Sequence, residues 1–168
     1  PEQALETSVR FLKEAGVMGV KLEGAHLATV EKLTASGIPV MGHLGLTPQS
    51  LQQLGGYRVQ GRSDGDAILE AALALEKSGA FAVVLELVPA ELAARITAAL
   101  SIPTIGIGAG VGCDAQVLVW TDMVGLTKNA PKLAKAYRDL RGEILGAARE
   151  FADDVRSGAF PSEDQTFR

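Results

Sequence analysis

Runs of small and β-branched apolar residues punctuate this chain five times, at 17–24 (VMGVKLEG), 38–46 (IPVMGHLGL), 80–89 (AFAVVLELVP), 102–110 (IPTIGIGAG) and 115–122 (AQVLVWTD). They are apolar throughout rather than alternating, the pattern of parallel strands covered on both faces. Helical patterns separate them. Residues 2–15 carry Leu5, Val9 and Leu12 on one stripe, and residues 26–36, 66–79 and 90–101 read as further helices. Gly37 and Gly79 close two of these helices, and Pro89 favours the start of another. A long loop is expected over 47–64. After the fifth run only helical segments remain, at 131–137 and 142–157, followed by a tail. Strand alternating with helix is the signature of βαβ units and a parallel sheet.

Two α/β architectures compete for such a chain, an open doubly wound sheet and a (β/α)8 barrel. The polar residues favour the barrel. Lys21 and Glu23, His43, Glu86, the glycines 106–110 and Asp122 stand at the carboxyl ends of successive strands. Only a barrel brings every strand end to one mouth. A complete barrel takes about 250 residues and eight strands, whereas this sequence of 168 residues shows five strands.

Composition narrows the function. A net charge of -4 argues against a nucleic-acid surface, which needs a basic face. No apolar run approaches the ~20 residues of a membrane span. The amphipathic opening 2–15 does not read as a signal peptide. Cys113 is the single cysteine, so no intrachain disulfide can form, and a reducing cytoplasm is expected. Cys113 itself is expected to be a small buried hydrophobe. Pro1 in place of Met leads us to expect a processed or shortened chain.

The charged residues inside the strands carry the chemistry. Lys21 and Glu23 are two apart, which puts both side chains on one face of a strand. Burying both costs several kcal/mol unless they pair or bind a ligand. Either they form a structural ion pair, or Glu23 serves a metal and Lys21 a substrate anion. Glu86 follows four apolar residues, so desolvation should raise its pKa, as suits a general base. The alternative is a solvated strand end. His43 sits between Gly42 and, two residues on, Gly45, and the two glycines are expected to leave ligand space beside it. The stretch 106–112 (GIGAGVG) lacks the G-x-G-x-x-G spacing. It marks either an anion site or close backbone packing. His26 and Asp122 are expected at helix starts or in loops, and Trp120 in the core. Lys132, Lys135, Arg138 and Arg141 are expected on solvated helix faces.

Taken together, the segments VKLEG, VMGHLGLTPQS, LGGYRVQGR, VVLELVP, IGIGAG and CDAQVLVWTDMVGL, with the ending SGAFPSEDQTF, resemble the ketopantoate hydroxymethyltransferase family in order and spacing. The resemblance implies a (β/α)8 TIM barrel of the phosphoenolpyruvate/pyruvate type. Residues 1–168 would be the C-terminal part of that single barrel domain, supplying about its last five strands. The first three strands, which in the family carry two metal-binding aspartates and a substrate-holding serine, would be absent. The resemblance further implies transfer of a one-carbon unit from 5,10-methylenetetrahydrofolate to 3-methyl-2-oxobutanoate, giving ketopantoate for pantothenate and coenzyme A synthesis. It implies Mg2+ as cofactor and a homo-oligomer, typically a decamer. Residue by residue, Glu86 resembles the general base, Lys21 the residue that binds the substrate carboxylate, Glu23 the metal-associated carboxylate and His43 a substrate-lining histidine. Two other readings remain at this point: another Mg2+-dependent 2-oxo-acid lyase of the same superfamily, and a non-catalytic barrel module.

Overall fold

The computed structural model describes residues 1–53 and 55–167; Leu54, in the expected loop and at the head of LGGYRVQGR, and Arg168 lie outside the described residues. The chain divides into two compact units, Pro1–Val117 and Leu118–Arg168.

The first unit runs α1 (Glu2–Glu14), β1 (Val20–Glu23), α2 (Leu27–Ala35), β2 (Val40–Gly45), α3 (Gly65–Lys77), β3 (Ala82–Glu86), α4 (Ala90–Ala99), β4 (Thr104–Ile107) and β5 (Ala115–Gln116). A three-residue 3-10 turn, Pro48–Ser50, follows β2. Every strand is parallel to its neighbour, and the order across the sheet is β1-β2-β3-β4-β5. A doubly wound sheet reverses its order at a switch point. This one does not, and its sequential order is that of consecutive staves in a (β/α) barrel wall, as the strand ends predict.

Register and alternation sort the side chains into two faces. Glu23 pairs with His43, His43 with Val84, and Gly45 with Glu86. Lys21, Glu23, His43 and Glu86 therefore share one face of the sheet. The opposite face carries Val40, Leu44, Val83 and Leu85, which join Val30 and Leu33 of α2, Ala72 and Leu75 of α3, and Leu92, Ala93 and Ile96 of α4 in one buried core. Each such fully buried Leu, Ile or Val contributes about 1.5–3 kcal/mol.

Gly42 belongs to this helix-covered face, where an added Cβ would come within 2.8 Å of Leu75 Cδ1. It makes room for α3, not for a ligand beside His43. Gly45 lies at a φ of +88°, and a Cβ there would run into the Glu86 carbonyl. Both glycines thus serve close packing of chain on chain, which corrects the reading of them as ligand space.

Two expected elements differ. The run 115–122 pairs as a strand only at Ala115–Gln116, and Trp120–Met123 forms a short helix, α5, in the second unit. β4 ends at Ile107, and Gly108 at a φ of +64° turns the chain away, so little backbone remains for a fifth strand to pair with. The expected helix 131–137 is a series of turns and irregular backbone. So short a segment is marginal without an apolar face to bury, and it buries none of its residues. Trp120, expected in the core, is 62% exposed.

The second unit is built on α6 (Leu140–Ser157), whose N-cap Asp139 accepts a hydrogen bond from Gly142 N at 3.0 Å and whose C-cap is Gly158 in the left-handed region. Phe151 of α6 meets Phe160 edge-on, with ring centroids 5.2 Å apart. Among the described residues no helix is long and apolar enough to cross a membrane.

Candidate active site

The site forms at the carboxyl ends of β1, β2 and β3, where the shared face gathers four titratable side chains. Lys21 Nζ lies 3.4 Å from Glu23 Oε1 and 3.0 Å from His43 Nδ1. His43 Nε2 lies 3.2 Å from Glu86 Oε2. All four residues singled out from sequence are thus joined in one chain of contacts. Their exposure differs sharply: the Lys21 side chain is 44% exposed, those of Glu23 and Glu86 11% and 13%, and His43 as a residue only 3%.

The backbone holds Glu86 from both sides. Leu46 N donates to the Glu86 carbonyl at 2.8 Å, and Leu87 N donates to the Ile107 carbonyl at 2.9 Å. Leu87 itself adopts a φ of +48°, a costly conformation for a branched side chain that marks strain beside a candidate functional residue. Gln60 N, from the loop after β2, caps the Leu87 carbonyl at 2.8 Å.

The electrostatics follow from burial. His43 is pushed down to about 4, first by its own desolvation and then by the Lys21 charge, with Glu23 and the Leu46 backbone acting the other way. Its ring is therefore neutral near pH 7. Glu86 is raised above the ordinary carboxylate value by burial and by the Glu23 charge, with Lys21 opposing. That is the direction its apolar strand predicts, and it keeps a carboxylate basic.

Both oxygens of Glu23 already have a partner. Besides Lys21 at Oε1, its Oε2 accepts a hydrogen bond from Gln49 N at 2.9 Å. A Mg2+ ion requires an octahedron of oxygens, usually one or two carboxylates plus water and substrate. Among the described residues no group of three His, Cys, Asp or Glu could hold a metal. By themselves these residues do not make a Mg2+ site: of the two carboxylates at the strand ends, Glu23 is already paired with Lys21 and the Gln49 amide, and Glu86 faces His43.

The glycine-rich exit from β4 resolves to close packing. Cβ atoms added at Gly110 and Gly112 would collide with Ala90 and Ala94 of α4, so the loop lies flat on that helix. Cys113 is partly buried against the core, with its Sγ close over Gly106. His26 is the exposed N-cap residue of α2, and Asp122 is buried in α5.

Sequence reasoning missed three contributors: the Gln49 amide, the Gln60 amide and the strained Leu87. The turn Thr47-Pro48-Gln49-Ser50 carried one usable signal. A proline opening a tight turn leaves the next amides free to meet a carboxylate.

The sequence profile of the ketopantoate hydroxymethyltransferase family matches residues 1–163. Three similar curated proteins are each named 3-methyl-2-oxobutanoate hydroxymethyltransferase. That of Acidothermus cellulolyticus is 58% identical over 99% of this chain and 63% of its own length. That of Frankia alni is 57% identical over 99% of this chain and 56% of its own length. That of Thermobifida fusca is 54% identical over 99% and 61%. The chain thus spans between 56% and 63% of the length of these relatives. With a profile matched along nearly its whole length, the chain belongs to the ketopantoate hydroxymethyltransferase family.

Proposed function

We propose that the full-length protein transfers a hydroxymethyl group from 5,10-methylenetetrahydrofolate to 3-methyl-2-oxobutanoate, giving ketopantoate for pantothenate and coenzyme A synthesis. The observation that carries this reading is the desolvated Glu86 at the strand tips, in one contact chain with the ammonium of Lys21. A 2-oxo acid offers a carboxylate and, beside its keto carbon, a weakly acidic C3–H. The half-exposed Lys21 balances the carboxylate. Glu86, raised in basicity, takes the C3 proton. The resulting carbanion forms the new C–C bond to the methylene carbon of the folate donor, whose bonds to the folate nitrogens break, so that tetrahydrofolate leaves and a water molecule supplies the hydroxyl oxygen. His43 lines this cluster from within. In the full-length protein Glu23 would contribute one carboxylate toward a Mg2+ ion, and such an ion would supply Lewis-acid chemistry toward the oxo acid. The same reading extends to a cytoplasmic homo-oligomer, a decamer in the pattern the family resemblance implies.

In the full-length protein, Glu86→Gln should slow deuterium exchange at C3 of 3-methyl-2-oxobutanoate by about 10²–10⁴-fold while substrate still binds. Normal exchange would remove Glu86 as the base. Cleavage of an oxo acid without any folate donor would point instead to a lyase. Glu23→Ala should shift the Mg2+ titration of activity, and an unchanged titration would place Glu23 outside the metal site. The 168-residue chain alone, whose Glu23 is already engaged by Lys21 and the Gln49 amide, should bind Mg2+ poorly and turn over no substrate; measurable turnover by it would refute this.

A further inference from the structure

The most buried member of the site is His43, and one of its ring nitrogens is buried without a hydrogen-bond partner among the described residues. Its Nδ1 faces Lys21 Nζ at 3.0 Å. An ammonium has three donors and no acceptor, so Nδ1 must accept and the single proton of the neutral ring must sit on Nε2. That Nε2 is fully buried and, among the described residues, has no partner in good hydrogen-bond geometry, although Glu86 Oε2 is only 3.2 Å away. Distance is satisfied and angle is not. Such catalytic contacts are often misaligned before substrate binds and tighten afterwards.

Two acceptors face the ring, the Leu46 backbone carbonyl and the Glu86 carboxylate, and only the second is free to turn toward Nε2. The His43 carbonyl is held by Gly24 N at 2.9 Å, and the side chain is 4% exposed, so His43 cannot swing. The Glu86 main chain is held through Leu46 and through the Leu87 amide. What remains is the Glu86 carboxylate, which turns about its own side-chain bonds. From this arrangement we infer that His43 is a positioning residue: Lys21 holds its ring proton on Nε2, and the Nε2–H steers Glu86 by donating to Oε2, leaving Oε1 free to face the substrate. His43 then acts through Glu86 rather than on the substrate. The inference rests on the reading of Glu86 as the base.

Two side chains separate this role from simple packing. A glutamine amide at position 43 can place its nitrogen near that of Nε2, whereas asparagine reaches only as far as Nδ1. In the full-length protein, His43→Gln should keep C3 exchange within about 10-fold of the parent, and His43→Asn should lose about 10²-fold in kcat with little change in KM, the penalty of a misplaced catalytic group. Equal losses in both variants, or a loss confined to KM, would overturn the inference. Nitrogen NMR of the unmutated ring near neutral pH gives a second reading that needs no variant to fold. A protonated Nε2 beside a bare Nδ1 is expected, and a protonated Nδ1 overturns the proposal. If Glu86→Gln exchanges normally, the base assignment fails, whatever the tautomer. If Glu86→Gln is inert but Gln and Asn at 43 behave alike, the positioning role alone fails.

Discussion

At the carboxyl ends of β1–β3, Glu86 lies in a desolvated cluster beside a second carboxylate, and its pKa is raised. At the amino ends of β4 and β5 the carboxylates are treated in the opposite way. Asp114 Oδ2 accepts from Thr104 N at 2.8 Å and from Thr104 Oγ1 at 3.0 Å. Glu76 Oε1 accepts from Ser101 N and Ser101 Oγ, both at 2.7 Å, and from Ile102 N at 3.2 Å. These hydrogen bonds lower both pKa values. One end of the sheet therefore satisfies its acids and uses them to tie helix and loop to strand. The other leaves an acid desolvated, with its pKa raised. A barrel divides its ends in this way, with chemistry at the carboxyl end and stability at the amino end.

Stability measurements on the full-length protein can break that contrast. The largest effect expected comes from His43. Its folded value of about 4 lies below the ordinary 6.5, so between those pH values the unfolded chain binds a proton that the folded chain refuses. Stability should rise with pH across that window by about 3 kcal/mol and be complete above it. Urea midpoints taken across the window should lose this slope in His43→Gln; an undiminished slope would assign it elsewhere. Next in size, Thr104→Val removes a fully buried hydroxyl that bonds both Asp114 and Thr97. It should cost about 2 kcal/mol, seen as a fall in Tm, with kcat unchanged. A fall in kcat at unchanged Tm would erase the division between the ends.

Glu76→Gln should cost about 1 kcal/mol. Because Glu76 is lowered, its contribution is present above the ordinary carboxylate pKa and is lost as pH falls through the folded value. The variant should therefore also lose part of its acid sensitivity. The smallest effect carries the opposite sign. A raised pKa means that folded Glu86 holds a proton longer than unfolded Glu86 does, so its stability contribution declines as pH rises through that range. Glu86→Gln should thus melt slightly higher than the parent at neutral and alkaline pH. A lower melting point would mean that Glu86 is satisfied like Asp114.

The sheet was legible because its strands are largely apolar runs that do not alternate and its helices carry stripes with glycine stops. Those signals are local and each names its own element. Lys21, Glu23, His43 and Glu86 were legible for the same reason, since a charge inside an apolar strand has few destinations. Where the outcome depended on a partner, the sequence was silent. The run at 115–122 has the composition of a strand, yet pairing stops when β4 turns away at Gly108. Gly42 beside His43 looked like space for a ligand and is space for Leu75, because the face a glycine belongs to is set by register. The Gln49 amide reaches Glu23 across 26 residues; the proline turn announces free amides, but nothing local names the carboxylate they meet.

Gly45 shows what this architecture means for change by mutation. Its backbone conformation and its contact with the Glu86 carbonyl close the position to every side chain, although it touches no substrate in the proposed reaction. A library randomised at 45 should collapse to glycine as sharply as one randomised at 86 collapses to glutamate. A scan scored only by survival would rank the two residues alike. Biochemistry on purified variants would part them, the first failing to fold and the second folding without turning over.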